Sequence, residues 1–96
     1  MNKKEVLHLL TDFKKSHQEK YKIMELGIFG SVAKGIENSE SDVDIVIKTN
    51  SANLFLMVHF KEELENLFHN KVDIVRYREK MNPYLKRRID ADAIYV

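Results

Sequence analysis

Three aspartates and a Gly-Ser pair are the residues of this 96-residue chain whose types and spacing could do chemistry. Gly30 and Ser31 open the stretch "GSVAKGIENSESDVDIVI", and Asp42 and Asp44 follow as Asp-x-Asp at the mouth of an apolar run. Successive side chains in a strand alternate between faces, so Asp42 and Asp44 project the same way while Val43, Ile45 and Ile47 enter the opposite layer. Two carboxylates this close raise one another's pKa unless a cation sits between them. Hard oxygen ligands select a hard cation, and Mg²⁺ is commonly held by one or two carboxylates together with substrate phosphates. A third acid, Asp73 in "KVDIV", shares a face with Val75. If its strand pairs beside the "DVDIVI" strand, Asp73 joins the cluster. Three acids can then hold two metals about 3.5–4 Å apart, the spacing that clamps the attacking and leaving oxygens in phosphoryl chemistry.

The Gly-Ser pair supplies a counterpart for those metals. It follows an apparent strand and opens a helical turn, where free N–H groups and the helix dipole favour an anion. Gly30 lets backbone approach a phosphate closely, and the Ser31 hydroxyl can donate to a phosphate oxygen. Each part is common by itself: Gly-Ser is usually a turn, Ser41-Asp42 a cap, Asp73 a solvated strand residue. Their joint order of strand, turn, loop and acid-bearing strand is the specific signal.

The elements that must position these residues follow from periodicity. Lys3 to Lys20 has Val6, Leu10 and Phe13 on one stripe with Leu7 and Leu9 beside it, an amphipathic helix. "KIMELGIF" is a strand ended by Gly30, Ser31 to Gly35 a short helical turn, and Ile36 to Ser41 a polar loop. "DVDIVIK" is apolar on both faces past its acids, as in a central covered strand. Asn50 and Ser51 are cap candidates for a helix carrying Met57, Phe60, Leu64 and Leu67 at helical spacing. "KVDIVRY" is a further strand, Asn82-Pro83 starts a last helix, and "AIYV" adds an edge strand. The alternation α-β-α-β-α-β-α-β predicts an α/β (α+β) domain spanning residues 1–96, a small mixed sheet with helices packed on it.

Composition narrows the classes. Lys+Arg 16 against Asp+Glu 15 gives a net charge of +1, without the basic excess expected of direct nucleic-acid binding. Cysteine is absent, which excludes disulfides and thiolate metal sites. No apolar run reaches the roughly 20 residues of a membrane span, and the start is not a signal peptide, so a cytoplasmic protein is expected. His8 and His17, nine positions apart, and His59 and His69, ten apart, have no metal-ligand spacing. Lys86, Arg87 and Arg88 read as a solvated helix face, with phosphate or an acidic partner as the functional alternative. Arg76 closes its strand within possible reach of a triphosphate, and Phe29, Phe55 and Tyr84 read as core.

Gly30-Ser31, ten residues, then Asp42-Val43-Asp44 resembles the signature of the polymerase-β-like nucleotidyltransferase superfamily, and the short length is similar to its minimal nucleotidyltransferases, the MNT or MntA-like group. The resemblance covers most of the chain and implies a polymerase-β palm-like nucleotidyltransferase fold. It implies that Gly30 and Ser31 bind a nucleotide triphosphate and that Asp42, Asp44 and Asp73 carry two Mg²⁺ ions. It further implies AMP transfer from ATP to a hydroxyl, on a tyrosine of a HEPN-domain RNase toxin whose antitoxin this chain would be. Transfer to a small molecule, or neutralisation by binding alone, stand as alternatives. Larger relatives carry acceptor-binding domains for which 96 residues leave no room, so a partner would bring the acceptor. Where many relatives have arginine, this chain has Lys34, which keeps the charge without the planar fork and reads first as a solvated helix residue.

Overall fold

A four-stranded mixed sheet organises the computed structural model, which describes residues 2–36, 38, 40–51 and 53–96. The elements run α1 (Lys3–His17), β1 (Ile23–Phe29), α2 (Gly30–Lys34), β2 (Val43–Thr49), α3 (Leu54–Phe68), β3 (Val72–Arg76), α4 (Pro83–Asp92) and β4 (Ile94–Tyr95), the order that periodicity predicts. The strands lie in the order β3-β2-β1-β4. β1 is antiparallel to both its neighbours, whereas β2 and β3 are parallel, because α3 carries the chain back across the sheet between them. Of the polar loop expected over Ile36 to Ser41, Glu37 and Ser39 lie outside the described residues.

Strand alternation divides the sheet into two differently used faces. Leu26, Ile28, Val43, Ile45 and Ile47 point to one side and meet Val6, Leu10 and Phe13 of α1 and Phe60, Leu64 and Phe68 of α3. Phe29 and Val46 point to the other side, where Ile89 of α4 covers them with Leu85 and Val75 at the margin. Burial of each such aliphatic side chain contributes about 1.5–3 kcal/mol, so the first face carries most of the stability. The phenylalanine and tyrosine expected in the core at Phe55 and Tyr84 are exposed, at 80% and 68%. Both sit in the first turn of their helices, α3 and α4, ahead of the buried residues by which those helices pack. Phe29 is buried as expected. The cap of α3 is Asn53, whose side chain accepts from the N–H groups of Phe55 and Leu56, rather than Asn50 or Ser51. Ser51 instead accepts from Asn53 N–H and donates its own N–H to the Thr49 hydroxyl, holding the turn that leads into the cap.

Gly27 is where β4 meets the sheet. A Cβ there would lie 2.5 Å from the Ile94 carbonyl oxygen and 3.0 Å from the Tyr95 Cα, both backbone atoms that cannot rotate aside. Gly27→Ala should therefore lower stability by about 1–3 kcal/mol, the usual cost of overpacking, measured by denaturant unfolding. An unfolding midpoint equal to wild type would show that β4 gives way freely.

Candidate active site

β1 ends at Phe29, and Gly30 turns the chain into α2 with φ +72°, a left-handed conformation natural to glycine. The strand that returns beside it is β2, antiparallel, with Phe29 opposite Asp44. Asp44 is in turn opposite Asp73 on the parallel β3. Phe29, Asp44 and Asp73 thus form one row across three strands and share the face covered by α4, because directly paired residues project to the same side. Neighbouring strands lie about 4.7–4.9 Å apart, so the two carboxylates start from adjacent backbones. Asp42 precedes β2 by one residue and lies two positions from Asp44.

The Asp44 carboxylate packs directly on Gly30: a Cβ built there would overlap its Oδ2 and stand 3.0 Å from its Cγ. Any side chain at position 30 would push the acid out of place, and the positive φ would add strain. The glycine is therefore required twice, by its turn and by its neighbour. Ser31 follows in the first turn of α2, half-buried.

Charge at this row is unbalanced. Burial pushes the Asp44 carboxyl above the usual carboxylate range, and the fields of Asp73 and, less strongly, Asp42 push the same way. The opposing influence is Arg88 of α4. That arginine belongs to the basic cluster read first as a solvated face, with phosphate or an acidic partner as the alternative; it is exposed, and its charge opposes the rise at Asp44. Its place beside Ile89, the buried residue of α4, and three positions after Leu85 was the available signal, since such a residue flanks the stripe that faces the sheet. Lys86 goes elsewhere, to Glu79 at 3.3 Å and over the Tyr77 ring. Lys34, exposed as expected, pairs with Asp92 at 3.3 Å and ties α2 to α4. Arg76 lies on the α3 side of the sheet, two residues from Ile74, and so points away from the face that carries Asp73. Of the histidines, His17 stacks on Phe13 with ring centroids 4.0 Å apart and pairs with Glu63 at 3.0 Å, a packing role at the end of α1.

Among the described residues no group of three or more His, Cys, Asp or Glu side chains is placed to hold a metal ion, so Asp42, Asp44 and Asp73 are not gathered into one three-acid cluster. What the row presents is an open set of carboxylate oxygens, uncompensated in charge, beside backbone bared by a glycine. That donor set fits magnesium, which usually completes its shell with water and substrate phosphate. A larger hollow of about 580 Å³ opens at the opposite end of β1, near Lys22, Met24 and Asn50, and none of the signature residues line it.

The family model described as "Polymerase beta, Nucleotidyltransferase" matches residues 11–96. The chain belongs to this family of nucleotidyltransferases. It is 35% identical over 95 residues to a protein of Methanocaldococcus jannaschii named as a candidate protein adenylyltransferase, a match covering 96% of this chain and 95% of that one. A solved structure described as a candidate minimal nucleotidyltransferase has a TM-score of 0.78 at 27% identity, with 98% of this chain and 95% of that chain covered. The fold is also that of a chain in a complex of a tri-AMPylated Shewanella oneidensis HEPN toxin with an MNT antitoxin, at a TM-score of 0.62 and 18% identity over 98% of this chain and 67% of that one. The nucleotidyltransferase fold expected from the Gly-Ser and Asp-x-Asp pattern is thereby confirmed.

The raised pKa of Asp44 has a consequence for stability. As pH rises from the acid side the unfolded chain gives up this proton first, so the residue's contribution turns unfavourable. The penalty is complete once pH exceeds the raised folded value, and it persists at neutrality. Asp44→Asn should therefore unfold at a higher temperature than wild type at pH 7 without added metal, with the difference vanishing once the carboxyl is protonated in both states. Melting curves across that pH range check the sign; an asparagine variant less stable at pH 7 would contradict it.

Proposed function

We propose that residues 1–96 act as one catalytic domain, a magnesium-dependent adenylyltransferase moving AMP from ATP to a tyrosine hydroxyl of a HEPN-domain RNase toxin, for which the chain is the antitoxin. The observation that carries the chemistry is the Asp44 carboxylate seated on Gly30 and in register with Asp73. The adenylyl group and the toxin are supported by the M. jannaschii relative's name and by the complex of AMPylated toxin with MNT antitoxin.

Asp42, Asp44 and Asp73 would hold the magnesium, two ions by family resemblance. When bound, magnesium neutralises phosphate charge and makes the acceptor hydroxyl more acidic. The chain's own groups do the rest. The turn at Gly30 exposes backbone N–H groups toward the phosphates, and the Ser31 hydroxyl donates to a phosphate oxygen. Arg88, the cation already felt by Asp44, adds positive charge where the triphosphate arrives. Asp73, exposed at the sheet margin, accepts the proton of the acceptor hydroxyl. The hydroxyl oxygen forms its bond to the α-phosphorus while the bond from that phosphorus to the bridging oxygen of pyrophosphate breaks, and pyrophosphate leaves with those electrons. The product is an AMP ester of the acceptor.

Incubation with ATP labelled at the α-phosphate, magnesium and the protein encoded by the adjacent gene should label that protein on tyrosine. Asp42→Ala and Asp73→Ala should each reduce labelling by at least about a hundredfold, as expected when a group acting mainly in the transition state is removed. Wild-type labelling by Asp42→Ala would sink the catalytic assignment. Turnover without any protein acceptor would point to a small-molecule substrate, and cells protected equally by an Asp42→Asn/Asp44→Asn double variant would point to neutralisation by binding. A second measurement needs no acceptor: magnesium with ATP should raise the melting temperature of wild type and leave that of Gly30→Ala unchanged, because the added methyl displaces Asp44.

A further inference from the structure

β3 is an edge strand, and it carries one of the acids. Lys71 accepts from the Val43 N–H and Tyr77 donates to the Ile47 carbonyl, so odd-numbered residues of this segment turn their backbone groups toward β2. Val72, Ile74 and Arg76 therefore turn theirs outward. The first outward N–H, that of Val72, is satisfied by Glu65 of α3 at 3.1 Å. No strand pairs with the outward groups of Ile74 and Arg76 among the described residues. A groove of about 300 Å³ runs along this stretch, lined by Ile74, Arg76 and Asp73 on the strand side and by Met57, Val58 and Lys61 of α3. It continues into an apolar patch, since Leu54, Phe55 and Val58 are 74%, 80% and 50% exposed on the first turns of the same helix.

We infer that this edge is the acceptor-docking surface: an extended segment of the acceptor protein adds to β3 as a fifth strand and brings its hydroxyl-bearing residue opposite Asp73. The inference rests on the transfer reading above and adds where the acceptor lies. Three observations commit the groove to that occupant. It adjoins the reaction site at the sheet edge, since Asp73 lines the groove while its side chain projects to the acid row on the other face. Strand alternation then delivers the right side chain: the residue opposite Asp73 projects to the face that holds Asp44, while its neighbours project to the α3 side against Met57 and Val58. The groove's chemistry is apolar with two cations, Lys61 and Arg76, and Arg76 Nε is buried without a hydrogen-bond partner among the described residues. The segment it fits therefore carries apolar side chains beside at least one carboxylate, with the hydroxyl residue between them.

The test measures backbone amide exchange of the full chain, alone and mixed with the protein encoded by the adjacent gene, together with label transfer from ATP. In the complex, exchange at Ile74 and Arg76 should slow by at least about tenfold, as newly paired edge amides do. Val58→Asp and Lys61→Glu, both at exposed positions outside the nucleotide site, should each lower acceptor labelling by about tenfold or more, the range of a central interface side chain. Neither should alter the melting shift caused by magnesium with ATP. Protection of the two amides without any label transfer would support the docking surface while ending the adenylyl-transfer reading. A complex with unchanged exchange at Ile74 and Arg76, no complex at all, or variants that label the acceptor at the wild-type rate would overturn the inference. So would sedimentation of the protein alone as a dimer that Val58→Asp dissociates, because a second copy would then occupy the edge.

Discussion

Two like charges held side by side are the constraint on which this structure turns. Asp44 and Asp73 face each other across a parallel strand pair, and nothing in the backbone ladder lets one retreat without breaking register. At roughly 5 Å their repulsion is about 1–3 kcal/mol in the partly solvated setting of a sheet margin. The same register buries Val43, Ile45 and Ile47 on the reverse face, and those three side chains together contribute about 4.5–9 kcal/mol. Packing beneath the strand outweighs repulsion above it. A one-residue slip would separate the acids but would also turn the whole apolar set toward α4 and the acids into the core.

The face that carries the acids is organised in rows. Phe29, Asp44 and Asp73 occupy the first, Gly27, Val46 and Val75 the second, and Glu25 with Lys48 the third. Ile89 lies over the middle row and seals it. Lys48 in the third row pairs with Glu25 at 2.8 Å and sits over the rings of Tyr77 and Tyr95, so the cation at that end is fully engaged. An apolar band thus separates the uncompensated acids from a lysine that would otherwise quench them. The helix that seals the band also carries Arg88, whose charge opposes the rise in the Asp44 pKa, and its own anchors are lateral, Asp92 to Lys34 and Asp90 to Tyr77.

The eight elements and the two-faced strands were legible because period-two and period-3.6 patterns are local properties of the sequence. The Asp-x-Asp spacing predicts that Asp42 and Asp44 share a face, though Asp42 precedes β2, and "VDIV" predicts that Asp73 joins them if its strand lies next door. Adjacency itself was not legible. Strand order depends on which faces α1, α3 and α4 must bury together, a property of the whole chain. The same reason hid the influence of Arg88 on Asp44, and it misplaced Phe55 and Tyr84, which are apolar by type but exposed. The tightness at Gly27 comes from β4 passing close by, which no pattern around Gly27 announces.

The two margins of the sheet are finished differently, and the difference bears on function. An exposed strand edge is a template for pairing with another chain, and stable proteins blunt it with short strands, charges or covering segments. The β4 margin follows that rule: the strand has two residues, Val96 donates its N–H to Leu26, and Lys14 of α1 reaches across to the Val96 carbonyl at 2.8 Å. The β3 margin follows it only at its start, where Glu65 takes the Val72 N–H. Beyond that point no strand among the described residues covers the backbone, the first turns of the flanking helix expose Leu54, Phe55 and Val58, and Asp73 lines the groove. A chain of 96 residues has little surface to spare, and leaving a sticky edge beside a charged site is a hazard unless something is meant to pair there. The open margin and the proposed docking edge coincide in position, which is the physical reason for placing the proposal there.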